Sequence, residues 1–297
     1  MNMSLRMMII AGISVFIGIA ILAVLLRTPR NDRPWIDALA RPPEFVKGAD
    51  TLWSIRNFRA FVFDKDGETE KAWREELIDA EDLAEVWFFI EPFEKWDSAA
   101  HSFLSFVFEG EHAKTISVSV EARREVGETY SGLKGIFNKY ELIYIWSTEK
   151  DILTRIAVDL DHDLYAYRLN VTPEQAQAIL MHFINRTNTL AERPRFYNTL
   201  VSNCTNELAK AVNAAFPGAL PWHFAHVLTG HSAERLHELG FLSPEATVFE
   251  GIKANANIRS IVQDVKALPE NEFDDAWRAH LAPKIRPHEK INGTSRG

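Results

Sequence analysis

The chain has 297 residues, of which 46% are hydrophobic and 25% charged, and carries a formal net charge of −8. That length holds one large domain or two small ones, and the composition supports a sizeable core. The acidic balance and the lack of any long basic run exclude a nucleic-acid partner, because phosphate binding needs clustered Lys and Arg.

In chain order, residues 1–6 form a short tail, expected to be cytoplasmic, ahead of an apolar stretch from Met7 to Leu26 that contains no charge. Twenty helical residues span about 30 Å, the thickness of a bilayer hydrocarbon core. A cleaved signal peptide would have a shorter apolar region and a small-x-small cleavage site. Ala23-Val24-Leu25-Leu26-Arg27 offers none, so 7–26 is expected to be an uncleaved transmembrane anchor. Arg27, Arg30 and Arg33, offset by Asp32, follow it, and Arg6 precedes it; by the positive-inside rule this mildly favours a cytoplasmic main domain.

Residues 27–50 read as a linker, because Pro29, Pro34, Pro42 and Pro43 prevent long helices. Strands are predicted over Asn57–Phe63, His101–Glu109, Thr115–Glu121, Tyr140–Ser147 and Leu164–Leu169. Within Leu83–Phe93 the uninterrupted Val86-Trp87-Phe88-Phe89-Ile90 run predicts a strand buried on both faces. The pattern then turns helical. Thr172-Pro173-Glu174-Gln175 is a capping box with Pro at the first helical position. A second helix starts near Asn203 and stops at Pro217-Gly218, and a third covers roughly Ala233–Leu239. The polar tail 286–297 is expected to be disordered. Strands followed by helices give an α+β fold, with its main domain over 51–245 and a C-terminal extension over 246–297.

Cys204 is the only cysteine, so no intramolecular disulfide can form. Asn203 is a good N-cap, which places Cys204 in the first turn of a helix, where the dipole and free amides favour a thiolate. A nucleophilic thiolate also needs a base, and most lone cysteines are simply small buried hydrophobes. The most suggestive of the ten histidines is His101, at the start of a strand. Matching the apolar faces of Leu104, Phe106, Phe108 and of Ile116, Val118, Val120 requires an odd-numbered hairpin loop. A Gly110-Glu111-His112 loop sets His101 opposite Glu121, and the alternative register sets it opposite Ser119; either could orient the imidazole. His223, His226, His231 and His237, with Glu234 and Glu238, match no compact zinc spacing. There is no phosphate-cradling Gly-rich loop and no Gly-x-Ser-x-Gly elbow, so no metal or other cofactor is expected.

Several separated motifs occur together in order. They are Ile55-Arg56-Asn57-Phe58-Arg59, Ala100 to Phe106, Ile116 to Glu125, Tyr140-Glu141-Leu142, and Phe196 to Leu200 followed by Asn203-Cys204-Thr205. The combination, over roughly residues 50–245, resembles the Lnb N-terminal periplasmic domain family. That family looks related to permuted papain-like thiol hydrolases, the relatives of lecithin retinol acyltransferase and of NlpC-type peptidases. The resemblance implies a permuted papain-like domain, an antiparallel sheet packed on helices behind one transmembrane helix. It implies that Cys204 is the nucleophile, His101 the base and Glu121 the orienting group. It also implies a periplasmic main domain tethered to the bacterial inner membrane, against the charge rule. Tyr197, Asn203 and Ser119 are expected to help bind substrate or line an oxyanion hole beside the Cys204 amide. The expected partner is a cell-envelope component (a peptidoglycan stem peptide, a lipoprotein or an acyl lipid) cleaved or acylated at an amide or ester. A non-catalytic envelope scaffold on the same fold is the alternative. The sequence departs from the family at Leu220-Pro221-Trp222-His223-Phe224-Ala225, where a Gly-containing turn is expected after the proline.

Overall fold

A computed structural model of the chain describes residues 26–93, 96–243 and 248–285, together with 7, 11–16, 18, 22 and 24. The expected anchor 7–26 therefore falls in part outside the described residues, and the tail 286–297 lies wholly outside them. Among the described residues no helix is long and apolar enough to cross a membrane.

The strands are β1 (Glu44–Lys47), β2 (Leu52–Arg59), β3 (Val62–Asp64), β4 (Gly67–Glu70), β5 (Trp73–Asp79), β6 (Leu83–Phe93), β7 (Trp96–Phe108), β8 (Lys114–Arg123), β9 (Glu141–Thr148), β10 (Tyr165–Leu169) and β11 (Leu242–Ser243). Nine of them form one sheet in the order β1-β2-β9-β8-β7-β6-β10-β11, with β5 also paired to β2; β3 and β4 form a separate hairpin. The pairings are antiparallel except β2 with β9. The helices are α1 (Gly132–Ile136), α2 (Glu149–Thr154), α3 (Pro173–Glu192), α4 (Cys204–Ala215), α5 (Ser232–Glu238), α6 (Phe249–Ala256), α7 (Arg259–Val265) and α8 (Glu270–Ile285). This is a mixed α+β architecture around a mostly antiparallel sheet.

Both faces of the sheet are covered. On one face Phe88, Leu104, Phe106, Val118 and Trp146 pack against Ile179, Leu180 and Phe183 of α3 and Leu208 of α4. On the other, Trp87, Phe89 and Phe103 pack against α2, α7 and α8. The Val86–Ile90 run is buried on both sides, as its lack of alternation predicts. The capping box at Thr172 and Gln175 forms in both directions.

One strand differs from expectation. The strand expected over 57–63 is broken. Asn57 takes a left-handed φ of 55° at a bulge in the β2–β5 pairing, and Phe61 N then leaves the ladder to donate to Asp151 Oδ2 at 2.7 Å. The 27–50 segment packs on the domain: it supplies β1 and buries Trp35, Leu39 and Phe45. The C-terminal extension is part of the core as well. Phe273, Trp277 and Leu281, spaced one turn apart on α8, are fully buried, with Trp277 edge-on to Trp87 and Phe89.

Candidate active site

The β7–β8 hairpin turns through Gly110–His112, and its register runs from Phe108↔Lys114 to Phe103↔Ser119. Gly110 is required at the turn: its φ is +79°, and a Cβ there would meet the Asp82 carboxylate at 2.6 Å. Extended by two residues, the register sets His101 opposite Glu121. The β8–β9 ladder continues as far as Arg123↔Glu141, so β7 parts from β8 while β8 stays paired on its other side.

The N-terminus of α4 docks at that parting. Asn203 caps the helix, its Oδ1 accepting from Asn206 N at 2.8 Å. Thr205 Oγ1 lies 3.1 Å from Ser102 Oγ, and Cys204 Sγ lies 3.9 Å from Ala100 O. The Ala100 backbone is held by a side chain: Ala100 N donates to Thr229 Oγ1 at 2.8 Å, and that hydroxyl donates to Ala100 O at 2.6 Å. Cys204 belongs to the α3–α4 side of the core, whereas His101 stacks on Phe103, which belongs to the other. The two come together at the end of the sheet, close enough for each to shift the other's pKa.

His101 Nε2 lies 2.8 Å from Ser119 Oγ and 3.4 Å from Glu121 Oε1, and Ser119 Oγ donates to Glu121 Oε1 at 2.7 Å. The carboxylate thus holds the imidazole directly and through a hydroxyl, so both partners allowed by the sequence are in contact with it. Burial opposes the His101 imidazolium, but Glu121 and the Cys204 thiolate outweigh it and push its pKa up to about 9. Burial would also raise the Cys204 thiol, yet the neighbouring imidazolium brings it below its ordinary value. Glu121 is likewise held below the usual carboxylate range: burial would raise it, but His101, Arg155 and Arg124 lower it. The charges of His101 and Glu121 thus favour each other, and the imidazolium makes the Cys204 thiol easier to ionise.

Tyr197 is buried with its hydroxyl 3.3 Å from Tyr130 Oη. Burial and the Cys204 thiolate raise it well above the usual phenol range, so it keeps its proton. Asn203 is committed to structure: its Nδ2 donates to Thr199 O at 2.8 Å and His226 O at 2.7 Å. The Cys204 and Thr205 amides, in the first turn of α4, have no intrahelical acceptor. Thr229 and Arg155 carry no sequence signal, because their roles depend on distant segments packing against β7 and β8. A small, partly open, mostly apolar cleft runs along α4, walled by Phe88, Leu104, Leu208, Val212 and Leu236; Thr205 lines it, and Cys204 and His101 do not. Among the described residues no group of three or more His, Cys, Asp or Glu could hold a metal ion.

Residues 69–230, more than half of the chain and including all six candidate residues, match the family model for the Lnb N-terminal periplasmic domain. The chain belongs to the Lnb N-terminal periplasmic domain family. The match begins in β4 and ends just before α5, so the Lnb domain model takes in the β6–β9 strands, α3 and α4, while β1, β2 and α6–α8 lie outside it. No curated protein and no solved structure matches the chain.

Proposed function

We propose that this Lnb domain is a cysteine hydrolase or acyltransferase of the cell envelope, built on a permuted papain-like plan. The reading is supported by the contacts of His101 Nε2 with Ser119 and Glu121, beside a helix N-terminus whose Cys204 is near enough for thiol and imidazole to shift each other's pKa. His on a strand, its orienting group on the next strand and Cys later at a helix N-terminus is the permuted order.

With Nε2 held by Ser119 and Glu121, Nδ1 is the ring nitrogen left to serve the sulfur. Cys204 Sγ attacks an ester or amide carbonyl and forms a C–S bond. The carbonyl π electrons move to oxygen, where the first amides of α4 and the Tyr197 hydroxyl stabilise the charge. Collapse breaks the C–O or C–N bond, and His101 protonates the departing alcohol or amine. Water, or a second amine or alcohol, then adds to the thioester while His101 takes its proton, and the thiolate is released.

The test is the ultraviolet absorbance of the thiolate, read as wild type minus Cys204→Ala across pH. Because this chain has a single Cys, the signal is unambiguous. A thiolate already present at neutral pH, and displaced to higher pH by His101→Ala, is expected. A thiolate that appears only in the ordinary thiol range, about 8.5, overturns the activated-nucleophile reading and favours a binding module on the same fold.

A further inference from the structure

The end of the sheet that holds Cys204 also carries exposed apolar side chains. Tyr130, Leu133 and Phe137 lie on or beside α1, Leu200 and Val201 in the loop before α4, and Trp222, Phe224 and Leu228 in the segment after it; Val201 and Trp222 are 65% and 75% exposed. These segments are bound into one surface. Thr199 Oγ1 donates to Gly132 O at 2.7 Å and Asn198 Nδ2 to Ile136 O at 2.9 Å, while Asn206 Nδ2 reaches both Leu200 O and His226 O. Large apolar groups gathered on one face mark an interaction surface.

The chain itself indicates what covers it. Val126 N donates to Pro34 O, Trp35 pairs with Glu125, and Ile36 N donates to Arg124 O. Residues 34–36 thus run antiparallel to the continuation of β8, and the chain before them turns back so that Asn31 binds Arg123 and Ala191 O at the same end of the sheet. Arg30 N is bound to Glu141 at the start of β9. Only three residues lie between Leu26, where the apolar segment ends, and Arg30, a reach of about 14 Å at most. The headgroup layer of a bilayer is itself roughly 6–8 Å thick. A domain tethered so closely has its tethered end against the headgroups, and that is the end bearing the apolar rim. Exposed Lys134, Arg193 and Arg195 at the same end can meet lipid phosphates.

We propose that the bilayer itself is the partner of this surface: the Lnb domain lies with the Tyr130–Phe137, Leu200–Val201 and Trp222–Leu228 segments in the lipid interface, its Cys204 end facing the membrane. The inference rests on reading 7–26 as an anchor, and it is independent of the thiol chemistry.

The test uses the full chain in vesicles of phosphatidylethanolamine and phosphatidylglycerol, in a Cys204→Ala background so that an added cysteine is unique. An environment-sensitive fluorophore is attached at L133C, V201C or E111C. Glu111 sits in the hairpin turn, about 23 Å along β7 from His101. Acyl-chain spin labels are expected to quench the probes at 133 and 201 several-fold more than at 111. In the chain without added cysteines, Trp222→Phe should remove a resolvable share of the tryptophan quenching caused by brominated lipids. Equal quenching at the three positions, or a Trp222→Phe chain quenched as fully as its parent, overturns the proposal. A chain that fails to float with the vesicles overturns it through the anchor. None of these readouts depends on activity, so a failed thiolate test leaves them untouched.

Discussion

His101 Nε2 and Glu121 Oε1 are 3.4 Å apart although the ladder between their strands ends two residues earlier, at Phe103↔Ser119. Side-chain contacts take over where backbone pairing stops, and α4 sets its first turn against the opening. Glu121→Gln keeps the shape and removes the charge. The His101 pKa should then fall from about 9 by roughly a unit or more, as read by NMR titration of the imidazole. The raised pKa contributes stability that is complete below 6.5, the value for a free imidazole, and is lost as pH rises through about 9. Wild type should therefore lose stability across that window, and Glu121→Gln should lose less.

Asn203 separates a structural from a chemical role. Its Oδ1 caps α4 and its Nδ2 ties two carbonyls, so Asn203→Asp keeps the cap acceptor but turns a carboxylate oxygen toward Thr199 O and His226 O. The expected cost is about 2–4 kcal/mol in denaturant unfolding. Asn203→Ala, which loses the cap and both bonds, should cost about as much. A variant of unchanged stability with reduced turnover would instead assign Asn203 to the oxyanion site.

Much of this site is legible in the sequence because its register is set locally. Leu104, Phe106, Phe108 and Ile116, Val118, Val120 alternate cleanly, and Gly110 can adopt the positive φ that the turn requires. Two registers then remain, with His101 opposite Glu121 or Ser119, and the three-residue turn of the structure is the one that sets it opposite Glu121. The part of the site that is not legible comes from distant segments. The parting of β7 from β8 is accompanied by Thr229 and α4 binding at Ala100 and Ser102, contacts more than a hundred residues apart. The same holds for the fold. The Phe273, Trp277, Leu281 stripe is helical in spacing but lies among charged residues, so its burial depends on Trp87 and Phe89 rather than on its own surroundings.

Glu207 gives an acid-stability prediction. It is fully buried on α4, accepting from Tyr144 Oη at 2.6 Å and Ser202 Oγ at 2.8 Å, with Lys210 and Arg186 as ion partners. Burial would raise its pKa, but Lys210, Tyr144 and Ser202 bring it down to about 2 from 4.5. The lowered value contributes stability that is complete above 4.5 and is lost as pH falls through about 2, of order 3 kcal/mol. Glu207→Gln should flatten the stability curve between those limits in urea titrations. Because α4 carries Cys204, it should also weaken the placement of the thiol.

The buried pair of Arg59 and Asp151 fixes the crossover between β2 and β3. Arg59 Nη2 and Nε both donate to Asp151, at 2.7 and 3.0 Å to its two oxygens, and Phe61 N donates to the same carboxylate. Removing one partner leaves a buried charge alone, so Asp151→Ala should destabilise by about 3–5 kcal/mol. The paired change Arg59→Met with Asp151→Leu should cost less than Asp151→Ala, because no charge is left stranded. A double change as costly as the sum of the two single ones would mean that the residues act separately, and that the crossover is held by Phe61 and its apolar neighbours instead.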